Sequence, residues 1–237
     1  NDARADHCDV ELFDQGAIEL RIVRGIRADA KGVEVQCADG TRHRARAGIT
    51  TIPFAVLKDV HVDGPVPALQ RQAWRAMRST AVVQVYMTVD RPFWKDDGAS
   101  ADLWTDGTLE RVYHLPAEDQ PHGILNAFIA GDSVDGLPSK DPTAIGRWVV
   151  AELERLRPAS KGRVTVTHVH DWRAVPTARG HIASYAPGDI GRYEAALQQP
   201  VGRLHFAGDH LGRLHVGLEA ACESAERAAF QLMEQLA

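Results

Sequence analysis

With 237 residues, 44% hydrophobic and 25% charged, the chain is long enough to bury a sizeable core as one large or two small domains. Its net charge of −5 gives no basic footprint for nucleic acid, and no run of like charge marks a tail. No apolar run approaches the roughly 20 residues that span a bilayer, and the polar opening NDARADHCD is no signal peptide, so a soluble chain without a membrane partner is expected.

Three widely separated cysteines, Cys8, Cys37 and Cys222, support neither a disulfide framework nor a CxxC motif; reduced thiols in the cytoplasm are the expectation. Among eleven histidines, neither His168 with His170 nor His205 with His210 has HExxH or Cys/His spacing, so no metal is expected.

In chain order, IELRIVRGI and GVEVQCADGTRHRARAGITTI read as strands, with Asp39-Gly40 a hairpin signal and Pro53 ending the last of them. Between Pro67 and Met77, the spacing of Leu69, Ala73, Trp74 and Met77 predicts a short helix. In AVVQVYMTV, Val83, Val85, Met87 and Val89 alternate with Gln84, Tyr86 and Thr88, which predicts a half-buried strand with one polar face. RVYHL, GILNAFIA and RVTVTHVHDW read as further strands. Asp141 and Pro142 form a natural cap and first turn for TAIGRWVVAELERLRP, whose Ile145, Trp148, Val149, Leu153 and Leu156 form a buried stripe. The fold class is mixed α/β, with antiparallel strands and covering helices and no clean βαβ repeat.

The closing stretch, RLHFAGDHLGRLHVGLEAACESAERAAFQLMEQLA, carries the densest chemistry. Leu204, His205 and Phe206 form a short buried strand; Ala207 and Gly208 keep little side chain between backbone and any ligand; Asp209 then stands within reach of a hydroxyl. Gly217 precedes a helix with a periodic stripe of Leu218, Ala221, Cys222, Ala225, Ala229, Leu232 and Leu236. The first amides of such a helix lack intrahelical acceptors and favour negative charge above them. Two readings stand: an ordinary terminal helix with a glycine before it, or one wall of a cofactor site. The chain contains neither GxGxxG nor a P-loop, so it has no pyrophosphate cradle of its own.

Taken together, three patches resemble the C-terminal half of the flavin-containing amine oxidase family, which includes monoamine, polyamine and L-amino acid oxidases. They are IELRIVRGIRADAKGVEVQCADGTRHRARAGITTIPFAVLKDV, then VVQVYMTVDRPFW, then DWRAVPTARGHIASYAPG with QPVGRLHFAGDH and GLEAACESAERAA. The resemblance implies FAD as cofactor. It places Val23 against the adenine, Asp209 on the ribityl hydroxyls, and the Leu218 amide toward the flavin pyrimidine, with Pro53, Gly208 and Gly217 also lining the cofactor. Trp172 matches an aromatic that packs beside the flavin ring, and a core tryptophan is the equal alternative. His181 and Gly217 fall where monoamine oxidases place an aromatic cage, which implies a more open and polar substrate site, with Tyr86 on its wall. Gln84 stands where many members carry a lysine that holds a water; its amide could orient that water without supplying charge, or it is simply a solvent-facing strand residue.

The resemblance further implies that residues 1–60 and 178–237 belong to an FAD-binding domain and 61–177 to a substrate-binding domain. The missing GxGxxG half is expected on a second polypeptide, as a heteromer or a processed chain. The leading expectation is oxidative deamination of an amino acid or related amine by hydride transfer to flavin N5, yielding hydrogen peroxide. A flavin-dependent dehydrogenase or desaturase and a non-catalytic assembly subunit are the alternatives.

Overall fold

The computed structural model describes residues 9–14 and 17–237, with side chains from Arg21 onward; Cys8 and the opening NDARADHC lie outside the described residues. The elements run β1 (Asp9–Asp14), β2 (Ala17–Ala28), β3 (Val33–Cys37), β4 (Arg42–Ala45), β5 (Gly48–Thr50), α1 (Phe54–Leu57), β6 (His61–Asp63), α2 (Ala68–Ala76) and β7 (Arg78–Thr80). Then follow β8 (Val82–Val89), β9 (Leu103–Trp104), β10 (Arg111–Leu115), β11 (Ile124–Ala130), α3 (Pro142–Leu156) and β12 (Val164–Asp171). The last are β13 (Ile182–Ser184), α4 (Ile190–Leu197), β14 (Leu204–Phe206) and α5 (Leu218–Leu236). This is the mixed α/β class expected. The chain divides into two compact units, one made of the residues up to Ser79 with Val175–Ala237 and the other of Thr80–Ala174.

In the first unit, β1 to β4 form an antiparallel ladder in sequence order, and β6 joins β2 in parallel. The Asp39-Gly40 turn closes β3 on β4: Gly40 takes φ +87°, and the Asp39 carboxylate accepts from the Thr41 amide at 2.9 Å. A separate parallel pair, β5 with β14, aligns Leu204 with Gly48 and Phe206 with Thr50. All three β14 side chains are buried, as a fully covered strand requires. Ala73 and Trp74 in α2, and Met77 just past its end, are buried as their spacing predicts. Leu69 instead faces solvent, and the fully buried position next to it is Gln70, whose Nε2 donates to the Gln199 carbonyl at 2.6 Å. The backbone partner satisfies the Gln70 amide nitrogen, whereas its oxygen is buried without one.

The helix α5 starts at Leu218 after Gly217, but its buried face is not the stripe read from the sequence. Ala220, Ser224 and Ala228 are the buried residues, whereas Leu218 and Cys222 are exposed. The reason is steric: small side chains every four residues let the helix backbone approach β14 and the turn after it. The larger apolar residues, Phe230 and Met233 among them, fall on the exposed side.

The second unit is a five-stranded antiparallel sheet in the order β12-β8-β11-β10-β9. One face packs under α3, where Val83, Val85 and Met87 meet Ile145, Val149 and Leu153 in one core. Gly146 lets α3 approach closely, since a Cβ there would sit 3.2 Å from Val166 Cγ1. The cap is as expected: Asp141 Oδ2 accepts from the Ala144 amide at 2.7 Å, with Pro142 in the first turn. Asp141→Ala is therefore expected to lower stability by about 1 kcal/mol in urea denaturation.

A bulge in β12 decides what the other face carries. Val164 and Val166 point to the α3 side, the register then slips between Val166 and His168, and Val169 takes the α3 side next. Thr167 is the extra residue, and its hydroxyl donates to the Tyr86 carbonyl at 3.0 Å. Without the slip, His168 and His170 would point into the core. With it, they join Gln84 and Tyr86 on the uncovered face.

Candidate functional site

In the first unit, Gly208, Asp209, Gly217 and Leu218 fall between β14 and the start of α5, whereas Val23, Pro53 and His181 lie on other elements. Gly208 takes φ +134°, a conformation side chains rarely adopt, and a Cβ there would lie 2.4 Å from His210 Cε1. The turn is tied to α5 by Ser224, which is fully buried: its hydroxyl accepts from the Gly208 amide at 2.8 Å and lies 2.8 Å from the Gly208 carbonyl oxygen and 3.0 Å from that of Ala221, either of which can take its single proton. Ser224→Ala leaves the partly buried Gly208 amide unmatched and is expected to cost about 1 to 3 kcal/mol in chemical denaturation. The sequence reading missed Ser224 and His210. A polar residue four positions from Ala220 and Ala228 is the signal that could have found the first.

Asp209 follows Gly208 with its carboxylate about two-fifths exposed, 3.6 Å from His210 Nδ1. The His210 ring beside it holds its carboxyl below the usual 3.8 despite partial burial, so the group stands as an anionic acceptor with free lone pairs. His210 itself is 8% exposed and packs edge-on against Phe54 at 4.6 Å.

Gly217 takes φ +64° with open space where its Cβ would be, and no side chain caps the amides of α5. The segment leading into the helix shows Leu214, Val216 and Leu218 to solvent at 84%, 87% and 79%. An uncapped helix start, an anionic acceptor and three uncovered apolar side chains fit a large flat group that has hydroxyls on one arm and a partly negative edge on its ring. Pro53 precedes α1, where its carbonyl accepts from the Val56 and Leu57 amides. Val23 is buried in β2, between Ile22, the last β2 residue paired with β1, and Gly25, the first paired with β6.

His181 lies on the surface just before β13. Partial desolvation lowers its pKa below the ordinary 6.5, and the Asp209 charge opposes that shift. The shift favours the neutral imidazole at pH 7. An NMR titration of His181 is expected to give a midpoint below 6.5, and Asp209→Asn should lower it further by removing the opposing charge.

In the second unit the structure joins two residues that the sequence reading singled out separately. Trp172 Nε1 donates to Gln84 Oε1 at 2.8 Å. That bond fixes which way the Gln84 amide faces, directing its NH2 away from the indole. Gln84 is 9% exposed, which rules out the reading as a solvent-facing strand residue. Trp172 is half-buried and packs edge-on against His170 at 4.5 Å, outside the unit's apolar core. Tyr86 lies one register row further along, tilted against His168 at 6.2 Å.

The family model for flavin containing amine oxidoreductase matches residues 12–233. An L-amino-acid oxidase of Naja atra is 24% identical over 219 residues, covering 90% of this chain and 43% of that protein. Among solved structures, a redesigned putrescine oxidase superposes with a TM-score of 0.81 at 24% identity. It covers 90% of this chain and 48% of its own. Cyclohexylamine oxidase from Brevibacterium oxydans gives 0.80 at 21%, with the same coverage. The chain thus spans less than half the length of these relatives. The chain shares the fold of these oxidases over the part it covers, and it belongs to the flavin-containing amine oxidoreductase family. FAD is accordingly its expected cofactor. Among the described residues, no helix is long and apolar enough to cross a membrane.

Proposed function

We propose that this chain supplies the flavin-edge and substrate residues of an FAD-dependent oxidase that deaminates an amino acid or related amine. The observation that carries the proposal is the start of α5, with uncapped amides after Gly217 and the Asp209 carboxylate on the turn before it. When bound, the flavin supplies a hydride acceptor that oxygen restores with release of hydrogen peroxide. The work of the chain is to bind, orient and tune. Asp209 accepts hydrogen bonds from ribityl hydroxyls, and the α5 amides at Leu218 stabilise negative charge at the pyrimidine edge. Gly217 leaves room for backbone approach, and Gly208 gives the turn the backbone conformation that carries Asp209; Val23 lines the adenine end and Pro53 lines the cofactor.

On the substrate side, Trp172 packs beside the ring and holds the Gln84 amide in one orientation, from which its NH2 positions a water. Neutral His181 meets an amine without repelling its charged form. Tyr86 is a further wall. In this proposal the residues up to 60 and 178–237 serve the cofactor and 61–177 the substrate. The pyrophosphate needs a GxGxxG segment from elsewhere, on the same or a second polypeptide. The reactive amine is the neutral form, so turnover rises with pH through the bound substrate's pKa.

The test is to load the protein with FAD, the GxGxxG segment included, and follow peroxide over a panel of amino acids and amines. Peroxide with at least one amine is expected; a retained flavin that no amine bleaches would overturn the proposal. One observation favours a second reading, a dehydrogenase: Gln84 brings no positive charge to the place where oxidases carry lysine. Bleaching by an amine followed by slow reoxidation in air, accelerated in Gln84→Lys, would mark that outcome.

A further inference from the structure

The face of the five-stranded sheet that α3 leaves uncovered carries a second recognition element. Register places His170, Gln84, Phe128 and Arg111 directly opposite one another across four strands, with Trp104 opposite Arg111 on the fifth. The Arg111 guanidinium carbon lies 5.3 Å from the Trp104 ring centre and 4.8 Å from that of Phe128. Two aromatic faces attract the cation and strip water from it, so the donors along the guanidinium edge are its remaining polar outlet. Those donors are incompletely matched. Arg111 Nε is buried with no hydrogen-bond partner, and Glu110 forms a loose ion pair with Nη2 at 3.7 Å, too long for a hydrogen bond.

The residue is held in place by an unusual backbone. Glu110 takes φ +53°, in the left-handed region, while the Thr105 amide donates to the Glu110 carbonyl at 2.7 Å and the Arg111 amide to the Leu109 carbonyl at 2.7 Å. Non-glycine residues adopt this conformation at a cost, and such positions concentrate where a side chain must be aimed. In the next register row, between Tyr86 and Tyr113, Asn126 is 5% exposed and its amide oxygen is buried without a partner. Folded proteins leave few buried polar atoms unmatched. Here an unmatched donor and an unmatched acceptor share the sheet face opposite α3.

We infer that Arg111 is the anchor for a carboxylate on the substrate, gripped edge-on by the guanidinium between Trp104 and Phe128, while the Asn126 oxygen accepts from a donor on the same molecule. Arg111 and Gln84 are two strand steps apart, about 10 Å between backbones. The anchored carboxylate is therefore several bonds from the carbon that reacts near Gln84. This narrows the proposed substrate to an amino acid or amine carrying a distal carboxylate, and in that respect it rests on the oxidase reading.

The binding test does not require the flavin. Trp104 is 67% exposed and adjoins the site, so its fluorescence reports occupancy. Glutarate titrated into the full chain at constant ionic strength is expected to give a saturable change that its neutral isostere glutaramide does not. Arg111→Gln should weaken glutarate at least tenfold, and Arg111→Lys, which keeps the charge but loses the flat fork, should fall between. Circular dichroism checks that both variants fold. Equal responses to glutarate and glutaramide, or a glutarate response unchanged in Arg111→Lys and Arg111→Gln, would overturn the assignment. Glutarate binding in a protein whose flavin no amine reduces would uphold the anchor and remove the oxidase reading instead.

Discussion

Asp209→Ala is expected to weaken FAD retention by about 10- to 100-fold, because hydrogen bonds to a charged acceptor contribute about 1.5 to 3 kcal/mol and each 1.4 kcal/mol is a factor of ten. The apo fold should change little: the carboxylate is 42% exposed and its structural neighbour, His210 Nδ1, is 3.6 Å away. Equilibrium dialysis against FAD with thermal unfolding of the apoprotein separates the two effects. If the apoprotein melts far below the parent while affinity holds, Asp209 is a structural residue. The same group sets an acid limit. Its pKa in the folded protein is lowered from 3.8, so its contribution is fully present above 3.8 and is lost as pH falls through the lowered value. Flavin release on acidification should follow that direction, and Asp209→Asn should abolish this part of it.

Gly208→Ala carries the second large effect. The backbone there sits at φ +134°, and the added methyl would meet His210 Cε1 at 2.4 Å. His210 cannot swing away freely, being 8% exposed and packed on Phe54. Backbone strain of about 1 to 3 kcal/mol and overpacking of similar size add to a loss of about 3 kcal/mol or more. Pairing it with His210→Ala relieves the overlap but leaves the strain, so the double variant should recover part of the loss in denaturant unfolding. Strict additivity of the two would contradict the steric account.

The units with strong local signals were legible in the sequence. Asp39-Gly40 names its turn, Asp141-Pro142 names its cap, and the alternation in AVVQVYMTV names a strand with one polar face. The start of α5 was also readable, because a glycine before a periodic apolar run is a boundary in itself. Its buried face was not. Hydrophobicity weights leucine and cysteine above alanine and serine, whereas the packing selects small side chains that admit a neighbouring backbone. Ser224 was missed for that reason, although its spacing from Ala220 and Ala228 marks it.

The pairing of Trp172 with Gln84 bridges 88 positions and depends on the β12 slip at Thr167, which sets the parity of everything after it. Two adjacent polar residues, Thr167 and His168, interrupt the alternation of Val164, Val166 and Val169; that break is the signal in the sequence. Arg111, Phe128 and Asn126 gave no such mark. Their proximity is a product of strand order, which periodicity does not encode.

The central claim is that the opening amides of α5 and the Asp209 carboxylate hold opposite ends of the flavin's polar edge. A crystal structure of the FAD-loaded protein, with its GxGxxG segment present, tests it most directly. The account predicts a ribityl hydroxyl within hydrogen-bond distance of Asp209 and the pyrimidine edge facing the Leu218 amide. A flavin bound elsewhere, with the α5 start left to solvent, would contradict it.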